Sequence, residues 1–214
     1  MARPKAADYD QHRARIIDHA VQAFARTGYP STSMASLAGD CGASKAALYH
    51  YFASKDALLF EALDGYTHRL LAIVEAEQAR GLPAGDELAA IVAALMGEYR
   101  HAHAYHAALL NDVKFLAEHE RLRIRAQERS VVDAIAATLE RAYPAAIDAR
   151  NRTVVTMALL GMINFTFAWL RPDGPVSHEQ FAGLVIDLWS HGLAGAGTPF
   201  LQGTPSEQAI RIER

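Results

Sequence analysis

Residues 33–55, Ser33-Met34-Ala35-Ser36-Leu37-Ala38-Gly39-Asp40-Cys41-Gly42-Ala43-Ser44-Lys45-Ala46-Ala47-Leu48-Tyr49-His50-Tyr51-Phe52-Ala53-Ser54-Lys55, read as two short helices joined by a tight turn. Ser33 is a good N-cap, Met34, Leu37, Ala38 and Cys41 recur at helical spacing, and Gly42 stands where the chain must turn sharply. Ser44 caps a second helix at once. Leu48 and Phe52 are its burying positions, which leaves Lys45, Ala46, Ala47, Tyr49 and His50 outward or near the helix ends. The pattern is a helix-turn-helix with a reader helix.

The composition of the outward face separates this stretch from an ordinary helical hairpin. A solvated face normally mixes Glu with Lys, yet no acid occurs between Asp40 and Asp56. Small residues let a helix sink close to base edges and touch thymine methyls. Hydroxyls and ammoniums bond phosphate oxygens, and no carboxylate repels the backbone.

Thr27-Gly28-Tyr29, Ser33-Met34, Gly42-Ala43-Ser44-Lys45 and Leu48-Tyr49-His50-Tyr51-Phe52-Ala53-Ser54-Lys55-Asp56-Ala57-Leu58-Leu59 closely resemble the DNA-binding domain of the TetR (tetracycline repressor) family. The resemblance covers about the first 65 residues without a gap. Ser36 stands where the family often has an acid, and Ala46 where it often has Gly. Carried over residue by residue, the resemblance implies DNA contacts from Ser33, Ser44, Lys45, Ala46, Ala47, Tyr49, His50, Tyr51 and Lys55. Lys55 is expected at a phosphate.

Charge distribution agrees with a DNA-reading head on a different body. The chain of 214 residues has a net charge of −3. Residues 1–60 nonetheless carry Arg3, Lys5, Arg13, Arg15, Arg26, Lys45 and Lys55 against only Asp8, Asp10, Asp18, Asp40 and Asp56. The acidity therefore lies in the remainder. An apolar fraction of 51% is ample for a buried core. The single cysteine, Cys41, excludes an internal disulfide and reads as a small buried hydrophobe. Met1-Ala2-Arg3-Pro4-Lys5 lacks the apolar stretch of a secretory signal, so a cytoplasmic location is expected. Thr153–Leu170 is uncharged, but Thr153, Thr156, Gly161, Asn164 and Thr166 dilute it, and a helix buried within the protein is expected rather than a membrane span.

Along the chain, residues 1–7 read as an arm, with Arg3 and Lys5 either available to phosphates or uninvolved. Asp8 and Gln11 form a capping-box pattern for a first helix that Gly28 stops. Ser54 caps a linking helix over about 54–80 that begins in the DNA module and ends beyond it. The rest is helical with nothing that reads as β: about 86–99, 105–113, 118–143 and 148–170, then a last helix capped by Ser177 and Gln180 and running to about Leu193. The expectation is an all-α chain. A three-helix helix-turn-helix domain spans 1–60, a ligand-binding and dimerisation domain 61–195, and an irregular tail 196–214.

Phe181, Val185, Leu188 and Trp189 share a face of the last helix, and the preceding helix is apolar nearly all round. Two copies packed as a four-helix bundle would cover both, so these four residues are the expected dimer interface. Met96, Tyr99, His103, Leu110, Phe115, Asn164, Phe165 and Trp169 come from several helices, and their apolar bodies with polar tips suit a ligand cavity. Arg121, Arg125 and Arg129 form a stripe that reads as a solvated face with local ion pairs or, in the sharper reading, as a dock in which Arg121 and Arg125 hold a phosphorylated ligand. His101, His103, His106 and His119 lack a Cys or carboxylate at ligand spacing, and no metal or cofactor is expected.

No phosphate-cradling Gly loop, nucleophile elbow or carboxylate pair suggests a reaction, so an enzyme is not expected. The resemblance implies a homodimeric repressor on a double-stranded, pseudo-palindromic operator, released by a small effector. Asn164-Phe165 through Trp169-Leu170-Arg171-Pro172-Asp173-Gly174-Pro175-Val176-Ser177 is similar to a segment in a TetR branch controlling fatty-acid and acyl-CoA breakdown, which implies an acyl-CoA. The alternative is a regulator of an efflux pump that senses apolar or aromatic compounds.

Overall fold

The computed structural model describes residues 3–171 and 173–195. All regular elements among them are helical: α1 (Arg3–Thr27), α2 (Met34–Asp40), α3 (Lys45–Tyr51), α4 (Lys55–Gln78), α5 (Ala84–His101), α6 (His103–Asp112), α7 (Glu118–Ala142), α8 (Arg152–Asn164) and α9 (His178–Gly195), with 3-10 turns at Val113–Phe115 and Phe165–Ala168. None of these helices is long and apolar enough to cross a membrane. The expected tail over 196–214 lies outside the described residues.

Packing divides the chain into two compact units. The first comprises Met1–Ala72 with Glu98–Ser130, and the second Ile73–Gly97 with Val131–Arg214. Each has its own apolar centre. In the first, Val21, Phe24, Leu37, Leu48, Leu58, Leu59, Leu63 and Ile124 are sealed from solvent. Tyr66 and His106 are buried with them, joined by a hydrogen bond of 3.2 Å, and Tyr99 stacks on the His106 ring at 3.8 Å. In the second, Leu88, Ile91, Leu95 and Met96 from α5 pack in a core that also takes Ile135, Leu139, Leu159, Ile163 and Val185. Its polar inclusion is Glu87, 4% exposed, which accepts from Thr138 Oγ1 at 2.6 Å and pairs with Arg141. Gln78 at the end of α4 donates to Ala134 O at 2.8 Å and to Thr138 Oγ1 at 3.1 Å.

Local chemistry accounts for most boundaries. Gly28 and Gly42 adopt φ of 82° and 63°, in the left-handed region where a side chain is strained, and they end α1 and turn α2 into α3. The Ser177–Gln180 capping box is closed in both directions, at 2.8 and 3.1 Å. Three limits differ from expectation by four residues or more, one of them the end of α8 at Asn164 rather than Leu170. Helix α1 begins at Arg3, where an arm was expected, because Ala6 and Ala7 favour helix and Pro4 is tolerated in a first turn. Helix α8 begins at Arg152 rather than Asp148, because Asp148 and Asn151 spend their side chains on a local turn: Asp148 accepts from Arg150 N at 2.8 Å, and Asn151 Oδ1 accepts from Asp148 N at 2.9 Å.

Candidate nucleic-acid interface

The two short helices are held by their caps. Ser33 Oγ accepts from Ser36 N at 3.1 Å, and Ser36 Oγ accepts from Ser33 N at 3.0 Å. Ser36 thus closes a capping box with a hydroxyl where the family often has a carboxylate, and adds no negative charge to this end. Ser44 Oγ accepts from Ala47 N at 3.1 Å and starts α3. Leu48 and Phe52 are buried as the spacing requires, which turns Lys45, Ala46, Ala47, Tyr49 and His50 outward to solvent. Ser33 and Ser44 are exposed beside them. The Lys45 ammonium lies 5.9 Å from the centre of the Tyr49 ring, so cation and phenol share one flank of α3.

Tyr51 is half-buried on the other flank. Tyr9 of α1 stacks on it at 4.8 Å and meets His50 edge-on at 6.3 Å, an anchor that the sequence reading did not identify. Its only signal was position: one aromatic on the face of α1 that backs the reader.

Lys55 has partners within the protein beside the role expected for it at a phosphate. Its ammonium donates to the carbonyls of Tyr29 at 2.7 Å and Thr32 at 2.9 Å, and sits 4.1 Å from the centre of the Tyr29 ring. Two of its three N–H groups are thereby committed to the loop between α1 and α2, which leaves one for a phosphate. Lys55 is first a clamp. Tyr29, at the centre of this arrangement, is buried, donates its phenol to Asp56, and packs against Phe24 and Phe115, each at 5.0 Å. Burial, and then the Asp56 carboxylate beside it, hold the phenol protonated far above the ordinary tyrosine range.

The expected ligand residues fall in both compact units. Tyr99 lies in the buried group with His106 and Tyr66, Phe115 is occupied by Tyr29, and Leu110, His103 and Arg125 are exposed, with Arg121 half-buried. In the second unit Met96 is fully buried and Asn164 half-buried. Phe165 and Trp169 stand outward at 61% and 51% exposure, because the 3-10 turn after α8 carries them off the inner face.

The expected dimer residues divide as well. Val185 is fully buried within the unit, Trp189 is half-buried with its indole N–H enclosed, and half-buried Phe181 meets Trp169 edge-on at 5.1 Å. Val185 is therefore a core residue and not an interface residue. Leu188 alone of the four is open, and Leu184 one turn before it shares its exposure. Val154 and Met157 of α8, and Phe165 beyond it, are exposed apolar residues as well.

Cys41 is half-buried at the turn, and burial, then Asp40, raise its thiol above the ordinary value. The thiol is expected to react with a disulfide reagent near neutral pH more slowly than free cysteine, and faster as pH rises, since the thiolate is the nucleophile. Rapid reaction at neutral pH would contradict this environment.

Comparison with known proteins places this geometry. Residues 16–62 match the family model described as bacterial regulatory proteins, tetR family, and residues 81–193 match that of the tetracyclin repressor-like C-terminal domain. The transcriptional regulator YuxN of Bacillus subtilis is 49% identical over 51 residues, 24% of this chain, and YerO of the same organism 39% over 57 residues, 27% of this chain. These matches span only 18% and 20% of those two relatives' own length. The transcriptional repressor KstR2 of Mycobacterium tuberculosis is 24% identical over 204 residues, covering 90% of this chain and 98% of that one. Among solved structures, a TetR-family regulator from Bordetella parapertussis superimposes with a TM-score of 0.79 at 31% identity, over 83% of this chain and 93% of that one. AibR, solved in complex with isovaleryl coenzyme A and operator DNA, has the same fold, with a TM-score of 0.74 at 23% identity over 83% of this chain and 97% of that one. With a capped, acid-free reader helix at its head and family matches over both halves, the chain belongs to the TetR family of transcription regulators.

Proposed function

We propose that the protein is a homodimeric repressor that reads a pseudo-palindromic operator through α3 and is released by an acyl-CoA. The observation that carries the DNA reading is the outward face of α3, where Lys45, Ala46, Ala47, Tyr49 and His50 stand exposed without a carboxylate among them. Lys45 and the small residues beside it suit base edges, while Tyr49 and the hydroxyls of Ser33 and Ser44 suit phosphates. A two-fold protein reads half-sites about one helical turn apart, roughly 34–36 Å. The exposure of the apolar residues Val154, Met157 and Phe165, and of Leu184 and Leu188 on α9, supports α8 and α9 as the dimer seam, since apolar side chains left outside in the protomer are suited to a contact surface. Likeness to KstR2 and to AibR supports repression and a coenzyme A thioester. Arg121 and Arg125 are the cations assigned to the coenzyme phosphates.

Selection of binding sequences from a random duplex pool tests the first part, and a palindromic consensus is the expected product. Failure to enrich any sequence would remove the operator from this account. The selected duplex then serves to test the effector. Isovaleryl-CoA and longer thioesters are expected to release it, while free coenzyme A and the free acids do so less. By linkage, the operator lowers thioester affinity by the same factor. Arg121→Ala with Arg125→Ala is expected to weaken the thioesters more than the acids, and equal losses would take the arginines out of the mechanism.

A further inference from the structure

Beside the reader helix, the first unit contains a cleft of about 360 Å³ whose α1 and turn residues none of these contacts uses. Ile16 and Leu48 line its apolar part, His12, Arg15 and His19 line it from α1, Cys41, Gly42 and Ala43 from the turn, and Ala47 and Tyr51 from α3. Among the described residues lining it there is no carboxylate. The nearby acids are already engaged, since Asp18 accepts from the Tyr105 hydroxyl and Asp40 pairs with Arg26 at 3.2 Å. Arg15 and His19 are exposed, and among the described residues neither has an ion-pair partner. The Cys41 thiol is held in its neutral form by burial and by Asp40, so it supplies no internal anion.

Position relative to α3 gives this cleft its meaning. The outward residues Lys45, Ala46, Tyr49 and His50 enter the groove in the reading proposed above. Lys45 and Tyr49 mark one flank of the helix, whereas Ala47 and Tyr51, one turn apart, mark the other. A helix about 10–12 Å across in a major groove about 12 Å wide has a row of phosphates along each flank. One row meets the Lys45–Tyr49 side. The other runs past Ala47 and Tyr51, where the cleft opens.

We propose that this cleft is a second phosphate clamp, in which Arg15, with His19 beside it, takes a backbone phosphate of the strand opposite the one held on the Lys45–Tyr49 flank. Ala47 is small enough to let that strand approach, and Tyr51, braced by Tyr9, forms the wall nearest α3. The contact is independent of sequence, because a guanidinium on a phosphate reads charge and position but no base. The clamp rests on the DNA reading of α3.

The experiment measures the salt dependence of binding to a random-sequence duplex several turns long, for the full chain and three variants. Arg15→Gln is expected to lower the slope of log K against log salt by about one per clamp engaged, with Arg15→Lys close to the parent protein. Lys45→Ala, which removes the reader helix's own cation from the groove, supplies the comparison. An unchanged slope in Arg15→Gln beside a reduced one in Lys45→Ala would overturn the clamp while leaving the reader in place. Salt-insensitive binding by the parent protein would overturn both. Arg15 is exposed and has no ion-pair partner among the described residues, so its replacement is expected to leave the fold intact, and a melting temperature equal to the parent's verifies this.

Discussion

Leu184→Asp combined with Leu188→Asp yields a folded protein that sediments as a monomer and no longer holds its selected operator, whereas Val185→Asp yields a protein that does not fold. The contrast follows from burial of neighbouring residues on one helix. Leu184 and Leu188 are 50% and 57% exposed in the protomer, so a carboxylate there stays in water until two copies meet. At the proposed two-fold seam each change is applied twice, and every uncompensated buried charge costs on the order of several kcal/mol. Val185 is fully buried within one chain, and the same cost falls on folding itself, against a total stability of roughly 5–15 kcal/mol. Sedimentation and circular dichroism on the three proteins read the difference. A dimer that survives both leucine changes would move the seam away from these leucines.

The second large effect is expected at Tyr29. Its truncation to Ala removes ring contacts with Phe24 and Phe115, the ring beneath the Lys55 ammonium, and the hydroxyl bonded to Asp56. Large aromatic to Ala changes in a core cost about 3–5 kcal/mol, and in a chain of this size each kcal/mol lowers the melting temperature by roughly 2–4 °C. A drop on the order of 10 °C is therefore expected. Hydrogen exchange should show α2 and α3 losing protection first. Tyr29→Phe keeps the rings and loses only the donor to Asp56, a cost of about 1–2 kcal/mol. If Tyr29→Ala melted within about 2 °C of the parent, less than 1 kcal/mol would be at stake and the residue would not be a hub.

The reader was legible in the sequence because its determinants are local. Ser33, Gly42 and Ser44 act within four residues of themselves, and Leu48 with Phe52 leaves only one way to face α3. Ser177 with Gln180 was legible for the same reason. Lys55 was not, since its ammonium answers to two carbonyls more than twenty residues away, which no spacing rule encodes. Helix α9 shows the limit of periodicity. Phe181, Val185, Leu188 and Trp189 recur as an apolar helix should, yet the pattern cannot say which edge of that wide stripe meets its own chain and which is left outside. Tyr9 and Arg15 carried no motif at all, and their place beside α3 is visible only once α1 is packed.

The buried carboxylate of Glu87 has a consequence for alignment of the helices around it. A slide of one turn, about 5.4 Å, would set Leu88, Ile91 and Leu95 of α5 against new neighbours in the core that also takes Ile135 and Leu139. Such a slide would carry Glu87 away from Thr138 and Arg141 and strand a desolvated charge, while Gln78 would lose Ala134 and Thr138 together. The polar inclusion thus works as a locating pin, and it adds a polar penalty to the apolar misfit that any other register would bring.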